Sequence, residues 1–377
     1  MDGTQAMRVA VLFGGPSPEH DVSILTGLQA ARALVQVPGV TERRTLYWAK
    51  TGAFYEVSAD LEAGAFAEGV PTGARPLDLR LGPEGGFFRR RGGLLGSSGR
   101  VEIDAVLVCC HGGPGEDGTL QGALDLAGLA YTGPSAAGAA LGMDKLASAA
   151  LLRAAGLPTL PRLLVTPNSK EPGFAGPYIL KPRYGGSSIG IEVVADFGTA
   201  LARLEASVHF RRGAVLEPYR PELYDLQVAV RTWPALELSA IERPLRRSAG
   251  AEILGYADKY AGGEGMLRAP RELPARIASQ LAERVRALAG EAAAVLGARG
   301  VSRVDFLSDG EELFVNEINT IPGSLSRHLF IDPEVSFGEL LAGLLAEARA
   351  CPAAALSSAG ADGSVLRSAG SIAAKLS

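Results

Sequence analysis

The sequence predicts an α/β protein whose first part is a doubly wound, Rossmann-like domain and whose remainder is built from two mixed α+β segments. Two apolar runs, each closed by glycines and followed by helical spacing, predict the first part. A glycine- and serine-rich hairpin in mid-chain and a late pair of apolar strands carrying charged residues predict the second. The parts divide as residues 1–133, 134–216 and 217–350, with a tail over 351–377.

The run Met7-Arg-Val-Ala-Val-Leu-Phe13 is short, apolar and closed by Gly14-Gly15, as a buried parallel strand requires. From Asp21 to about Leu34, the residues Val22, Leu25, Leu28 and Ala31 then recur at helical spacing. The pattern repeats at Asp104-Ala-Val-Leu-Val-Cys-Cys110, followed by His111-Gly-Gly-Pro-Gly115 and a helix from near Thr119. Between the two, residues 60–100 are rich in Gly, Pro and Arg with weak periodicity and are expected to form a variable excursion. Helical spacing returns at 143–155 and stops at Gly156-Leu-Pro158. Tyr178–Pro182 and Ile191–Val194 read as strands flanking the loop 183–190. Strands at 214–218 and 226–230, a loop around 256–265 and an Ala-rich helix over about 274–296 follow. Two more strands, 301–307 and 312–318, face each other across the turn Ser308-Asp-Gly-Glu311. The last helix ends near Cys351, and the Ala-, Ser- and Gly-rich tail beyond it is expected to be disordered.

The bulk composition narrows the partners. A 377-residue chain with 47% hydrophobic and 21% charged residues can bury ample core. A net charge of -4 and a pI near 5.8 leave no basic excess for a nucleic-acid backbone, and the one basic run, 87–91, reads as a solvated loop. Three cysteines, two of them adjacent at 109 and 110, fit neither a disulfide framework nor zinc spacing, which points to a reducing compartment and the cytoplasm. No stretch approaches the ~18 apolar residues of a membrane span.

The chemistry is concentrated in a few segments. Strand 301–307 carries Arg303 and Asp305, and strand 312–318 leads through Glu317 to Asn319, polar groups where half-buried strands want apolar ones. Alternation turns Arg303 and Asp305 to one face and Glu317 and Asn319 likewise, so antiparallel pairing makes the four converge. Two carboxylates and an amide oxygen are hard ligands that suit magnesium, whose shell is completed by phosphates and water. A surface salt-bridge cluster is the plainer alternative. Asn319-Thr-Ile-Pro-Gly323 then turns sharply and can present backbone N–H groups to an anion. Lys181 ends a strand just before Gly185-Gly-Ser187-Ser188, placing an ammonium and a hydroxyl-bearing loop to cover phosphates, although an ordinary hairpin tip has the same composition. Lys145 either supplies a second ammonium or is a surface lysine of its helix.

Taken in order, these segments resemble the ATP-grasp superfamily and, within it, the D-alanine-D-alanine ligases. The matching stretches are Val11 through Ser23 with Glu19, His111 through Gly122, Tyr131-Thr-Gly133, Met143-Asp-Lys145, Lys181 through Gly190, Asp258-Lys259-Tyr260 and Arg303 through Gly323. The resemblance implies an ATP-grasp fold and an ATP-dependent carboxylate–amine ligase of peptidoglycan precursor synthesis. It implies that Lys145, Lys181, Ser188 and Lys259 hold ATP phosphates, that Glu217 sits at the adenine hinge and Asp225 near the ribose, and that Asp305, Glu317 and Asn319 bind magnesium. Two magnesium ions are expected, with manganese as the alternative. Glu19, Ser187 and Tyr260 match a hydrogen-bonded trio that positions the first amino acid and closes the loop. His111 matches a residue near the first carboxylate, and Arg303 with the Gly323 backbone matches the groups that stabilise the acyl-phosphate and the oxyanion. Amino acids and ATP are the implied small-molecule partners, and a homodimer is the family's common form.

That reaction needs such residues on physical grounds. A carboxylate is a poor electrophile and ATP is heavily anionic, so metal, lysines and arginine must offset charge. The acyl-phosphate is readily hydrolysed, so the loop 183–190 must shut over it. His111 either assists deprotonation of the attacking amine or is a satisfied structural histidine.

The departures from the family pattern gather on the acceptor side. After Gly323 the ligases carry Met or Phe, Thr, two variable residues and a Ser that helps hold the second carboxylate; here Ser324-Leu-Ser-Arg327-His328 puts His328 at that position. Asp225 stands where the family tends to have Glu, and Pro218 where it has Lys. A relative joining a different amino-acid or hydroxy-acid pair is the nearest rival reading. A degenerate nucleotide-binding protein is opposed by the intact carboxylates, Arg303 and lysines. A carboxylase or purine-type ligase is opposed by the Glu19 and His111 motifs.

Overall fold

The computed structural model describes residues 6–90, 99–245, 270–351, 357–371 and 375. Its first sheet has six strands: β1 (Met7–Gly14), β2 (Val40–Trp48), β3 (Phe54–Val57), β4 (Arg75–Arg80), β5 (Gly86–Arg89) and β6 (Ala105–Val108), in the order β5-β4-β3-β2-β1-β6. β1 runs parallel to both β2 and β6, which is the doubly wound centre the glycine-closed runs predict. Helix α1 (His20–Ala33) packs on it, with Gly27 pressed against the Phe13 ring where no methyl group would fit. Gly14 ends β1 at φ +93°, a left-handed conformation that an L side chain resists, and a Cβ there would stand 2.3 Å from the Trp48 carbonyl oxygen.

The sheet is nevertheless mixed, because β3 returns antiparallel on β2 and the expected excursion contributes two further strands. β3, β4 and β5 add antiparallel to its edge. In β4 the buried Leu77 and part-buried Leu79 alternate with Asp78 and Arg80, a two-residue period hidden by the Gly and Pro around it. Glu56 on β3 holds Arg44 at 2.9 Å and Arg89 at 3.0 Å, and Arg90 pairs with Asp78 at 2.6 Å. Two arginines of the basic run are thus spent on neighbouring carboxylates, while Arg91 lies outside the described residues.

Helices α2 (Thr119–Leu126), α3 (Ala136–Met143) and α4 (Lys145–Ala154) lead to a second sheet, ordered β7-β10-β8-β9, of β7 (Leu163–Val165), β8 (Tyr178–Pro182), β9 (Glu192–Val194) and β10 (Ala214–Pro218), backed by α5 (Phe197–Ala206). The third sheet contains β11 (Tyr224–Arg231) and the short β12 (Glu237–Leu238); β13 (Arg243–Pro244) and β14 (Arg271–Glu272) form a separate two-stranded pair. α6 (Ser279–Val295) then covers β15 (Val301–Ser308) and β16 (Leu313–Asn319), which complete the third sheet in the order β12-β11-β15-β16. α6 starts later than its sequence pattern because Ala275 N–H donates to Ile241 O at 2.7 Å, pinning the preceding residues to a strand end. The final long helix, α7 (Phe337–Ala350), opens with a capping box between Ser336 and Glu339 and returns its Leu340, Leu341, Leu344 and Leu345 to the core of the first sheet. The C-terminal segment and the first domain therefore share one apolar core. In the tail, Ser364–Ser368 forms an exposed helical turn.

Candidate active site

The register of the third sheet builds the centre of the site. Gln227 on β11, Asp305 on β15 and Glu317 on β16 stand in one cross-strand row, and Ala229, Arg303 and Asn319 in the next. Asp305 pairs with Glu317 while Phe306 pairs with Val315, so Asn316 is the extra residue of a β-bulge. The bulge lets the adjacent Asn316 and Glu317 both face the cleft, where strict alternation would have turned one of them away. Arg303 grips Asp305 with two bonds, Nε to Oδ1 at 2.6 Å and Nη2 to Oδ2 at 2.8 Å, and Asn319 donates its amide to Asp305 Oδ2 at 3.1 Å. Among the described residues no group of three His, Cys, Asp or Glu could by itself hold a metal ion. The set here is two facing carboxylates and an amide, which suits an ion that draws its remaining ligands from phosphates and water.

Lys145 is the first residue of α4, and Asp144 fixes it there. The Asp144 carboxylate caps the helix by accepting from Leu146 N–H at 3.0 Å and Ala147 N–H at 3.2 Å. It also takes two bonds from Arg183, at 2.9 and 2.6 Å, so the helix start is tied to the base of the glycine-rich loop. Lys145 Nζ then reaches Gly185 O and lies 3.3 Å from Glu317. Lys181 Nζ meets Glu217 Oε2 at 2.8 Å and Asn316 Oδ1 at 3.3 Å. Burial pushes the Glu217 carboxyl up, but the positive charges of Arg162 and then Lys181 outweigh it and hold the group below its ordinary value.

Ser187 and Ser188 at the loop tip have φ of 52° and 59°, a left-handed conformation that costs a non-glycine residue on the order of 1 kcal/mol or more. The Ser187 hydroxyl donates to Glu19 Oε1, latching the loop to the start of α1. His111 is fully buried, and desolvation pulls its pKa down to about 4, so it is neutral at pH 7. Its Nδ1 lies 2.7 Å from the Ile321 carbonyl, which can only accept; the proton is therefore on Nδ1 and Nε2 accepts from the Thr26 hydroxyl at 2.7 Å. Thr26 Oγ1 in turn accepts from Ser324 N–H at 3.0 Å. Both ring nitrogens are thus occupied in tying α1 to the turn beyond Asn319, the arrangement of a satisfied structural histidine.

The predicted residues line two clefts. One, of about 1000 Å³, is bounded by Glu19, His111, Ser187, Arg303, Asn319 and Gly323. The other, of about 930 Å³, contains Lys181, Ser188, Glu217, Asp225 and Asp305 beside an apolar wall that includes Ile179, Ile189, Leu223 and Leu307. Lys145, Gly185, Gly186, Gln227 and Glu317 belong to both, so the clefts meet at the carboxylate–lysine pair. Residues 8–134 match the family described as D-ala D-ala ligase N-terminus, and residues 151–345 match D-ala D-ala ligase C-terminus. This chain belongs to the D-alanine–D-alanine ligase family.

It is a peptide-bond-forming ligase of the ATP-grasp type, and that family generally uses ATP and magnesium. The chain is 35% identical over 341 residues to the D-alanine–D-alanine ligase of Methylobacterium sp. (strain 4-46), covering 84% of this chain and 83% of the relative. In fold it resembles the D-alanine–D-alanine ligase of Coxiella burnetii, with TM-score 0.74, 21% identity, and 92% and 95% of the two chains covered. It also resembles the VanG D-Ala:D-Ser ligase of Enterococcus faecalis, with TM-score 0.72, 24% identity, and 91% and 100% covered. No described helix is long and apolar enough to cross a membrane.

Two predicted residues of the family pattern, Lys259 and Tyr260, lie outside the described residues. His328 does not line either cleft; its Nε2 stands 3.4 Å from Glu242, which lines the first one and also pairs with Arg271 at 3.1 Å. Sequence reasoning passed over Glu242, Arg271, Glu116 and Arg162. Glu116 sits inside the quoted motif Gly115-Glu-Asp117 and accepts from Gly112 N–H and Ile321 N–H, each at 2.9 Å. Arg162 was detectable as a charge beside the apolar run Leu163-Leu-Val165.

Proposed function

We propose that this chain condenses two amino acids, the first of them D-alanine or a close analogue, into a dipeptide at the expense of ATP, as a step of peptidoglycan precursor synthesis in the cytoplasm. The observation that carries this reading is the meeting, at Lys145 and Glu317, of a cleft that sets an apolar wall beside Lys181 and Glu217 and a cleft lined by Glu19, His111 and Arg303. A donor carboxylate oxygen attacks the γ-phosphorus and ADP leaves. The acceptor's amine nitrogen then attacks the acyl carbon, inorganic phosphate leaves with the bonding electrons, and the amine gives up a proton. Lys181 and Lys145 offset the phosphate charge, and the apolar wall takes the base with Glu217 at its edge and Asp225 toward the ribose. Arg303 and the Gly323 N–H face the charge that grows on the reacting oxygens. Asp305, Glu317 and Asn319 would hold magnesium, which supplies charge neutralisation at the phosphates. The Glu19–Ser187 latch keeps water from the acyl-phosphate. The homodimer common in the family remains part of this proposal.

Purified protein with ATP, magnesium and D-alanine should release phosphate and form a dipeptide. Absence of release with D-alanine, alone or beside a panel of amines, would remove this reading and leave the fold untouched. A second reading, a different acceptor, is favoured by one observation: His328 stands behind Glu242 where the family has a serine. His328→Ser should then raise the use of D-alanine as acceptor, and an unchanged acceptor profile would dismiss the role of that position.

A further inference from the structure

Arg162 enters from the loop before β7 and lies behind the nucleotide cleft, its side chain only 3% exposed. Its guanidinium is held from three directions. Nη1 donates to the Lys145 carbonyl at 2.5 Å, Nη2 donates to the Asn316 carbonyl at 2.6 Å, and Nε stands 2.7 Å from Glu217 Oε1. The last contact is off the line a hydrogen bond needs, so it acts through charge. Glu217 has no exposed surface, and its other oxygen takes the Lys181 ammonium at 2.8 Å. The carboxylate thus lies between two cations that differ in kind. Lys181 sits on a flexible stem and lines the cleft; Arg162 carries its charge on a planar guanidinium fastened to two backbone carbonyls.

The difference matters when a polyphosphate arrives. For the Lys181 ammonium to turn to a phosphate oxygen it must loosen its hold on Glu217, and a buried carboxylate left without a counter-charge is costly. Arg162 removes that obstacle because its charge stays beside Glu217 wherever Lys181 points. The same guanidinium ties the first residue of α4 to the bulge of β16, and so fixes the spacing between Lys145 and the adjacent Glu317.

We propose that Arg162 is a positioning residue for the nucleotide: a fixed counter-charge to Glu217 that leaves Lys181 available to phosphate, and a clasp that sets Lys145 against Glu317. The inference rests on the reading of this cleft as the ATP site. Arg162 lines neither cleft, but Lys181 and Glu217, whose pairing it supports, line only the nucleotide one, so the larger effect is expected on nucleotide binding.

The test uses the full chain, with calorimetric binding of the non-hydrolysable analogue AMP-PNP in magnesium, steady-state kinetics and thermal unfolding. Arg162→Met should weaken AMP-PNP binding by roughly tenfold or more, the size of a lost charge-assisted contact. KM for ATP should rise with it while KM for D-alanine stays near the wild-type value. Arg162→Met should cost less affinity in the Glu217→Gln background than in the wild type, because the charge that Arg162 answers is gone and only the clasp is lost. Arg162→Lys keeps the charge but not the planar fork of donors, so it should weaken AMP-PNP binding by less than the roughly tenfold expected of methionine, and it decides the matter if Arg162→Met does not fold. Arg162→Met with a lowered melting temperature but unchanged AMP-PNP affinity, strictly additive effects in the Glu217 pair, or Arg162→Lys losing affinity as fully as a methionine should, would each overturn the inference. Failure of the wild-type protein to bind AMP-PNP would instead sink the assignment of the cleft.

Discussion

Replacing Glu116 by glutamine should flatten the dependence of folding stability on pH between 4.5 and 7. Desolvation raises this buried carboxyl from its ordinary 4.5 to about 7, with the Glu19 charge adding to the shift and the N–H groups of Gly112 and Ile321 reversing only part of it. Below pH 4.5 the group is protonated in both the native and the unfolded chain, and the native state has its full advantage. Between 4.5 and about 7 only the unfolded chain ionises, so stability falls as pH rises through this window and falls no further above it. The width of the window corresponds to roughly 3 kcal/mol. Glutamine keeps the shape but cannot titrate. Its amide must turn an N–H toward a backbone donor that the carboxylate accepts from, so the variant should be less stable by about 1–3 kcal/mol at every pH. The slope, and not the offset, is therefore the readout. Urea unfolding at a series of pH values, with m held common to both proteins, gives it directly. Equal slopes for the wild type and Glu116→Gln would refute the reasoning, since Glu116 would then titrate at its ordinary value.

Asp144→Ala removes a helix cap and both bonds to Arg183, and should cost roughly 1–2 kcal/mol in unfolding free energy together with a higher KM for ATP. A normal KM would mean that Lys145 needs no such tether. Gly112→Ala places a methyl against the Glu19 carboxylate and 2.7 Å from Ser17 Oγ, at φ +63°, and should abolish dipeptide formation while leaving AMP-PNP binding intact; retained turnover would show the Glu19–Ser187 latch to be dispensable. Glu317→Gln should lower kcat on the order of 100-fold and raise the magnesium concentration needed for half activity. A magnesium titration indistinguishable from wild type would exclude Glu317 as a ligand.

The limits of the sequence are visible in particular residues. Local pattern sufficed for β1, β6, α1, the loop hairpin and the β15–β16 pair, because each is announced by its own periodicity and turn residues. The strands of the 60–100 region were missed because Gly, Pro and Arg conceal a two-residue period that matters only once a sheet edge is there to receive it. The bulge at Asn316 is likewise invisible in one strand, since a bulge is a mismatch between two.

By itself, the sequence determined the fold class and the family, and it nominated the metal-type ligands, lysines and loop, all of which are carried by short contiguous motifs. Only the tertiary structure decided which of these groups share a cleft, that His111 is neutral and doubly bonded, that His328 stands behind Glu242 outside both clefts, and that Arg162 stands beside Glu217. Burial, proton position and charge pairing depend on what packs across 55 residues from Arg162 to Glu217 or 210 from His111 to Ile321. No motif read along the chain contains that distance.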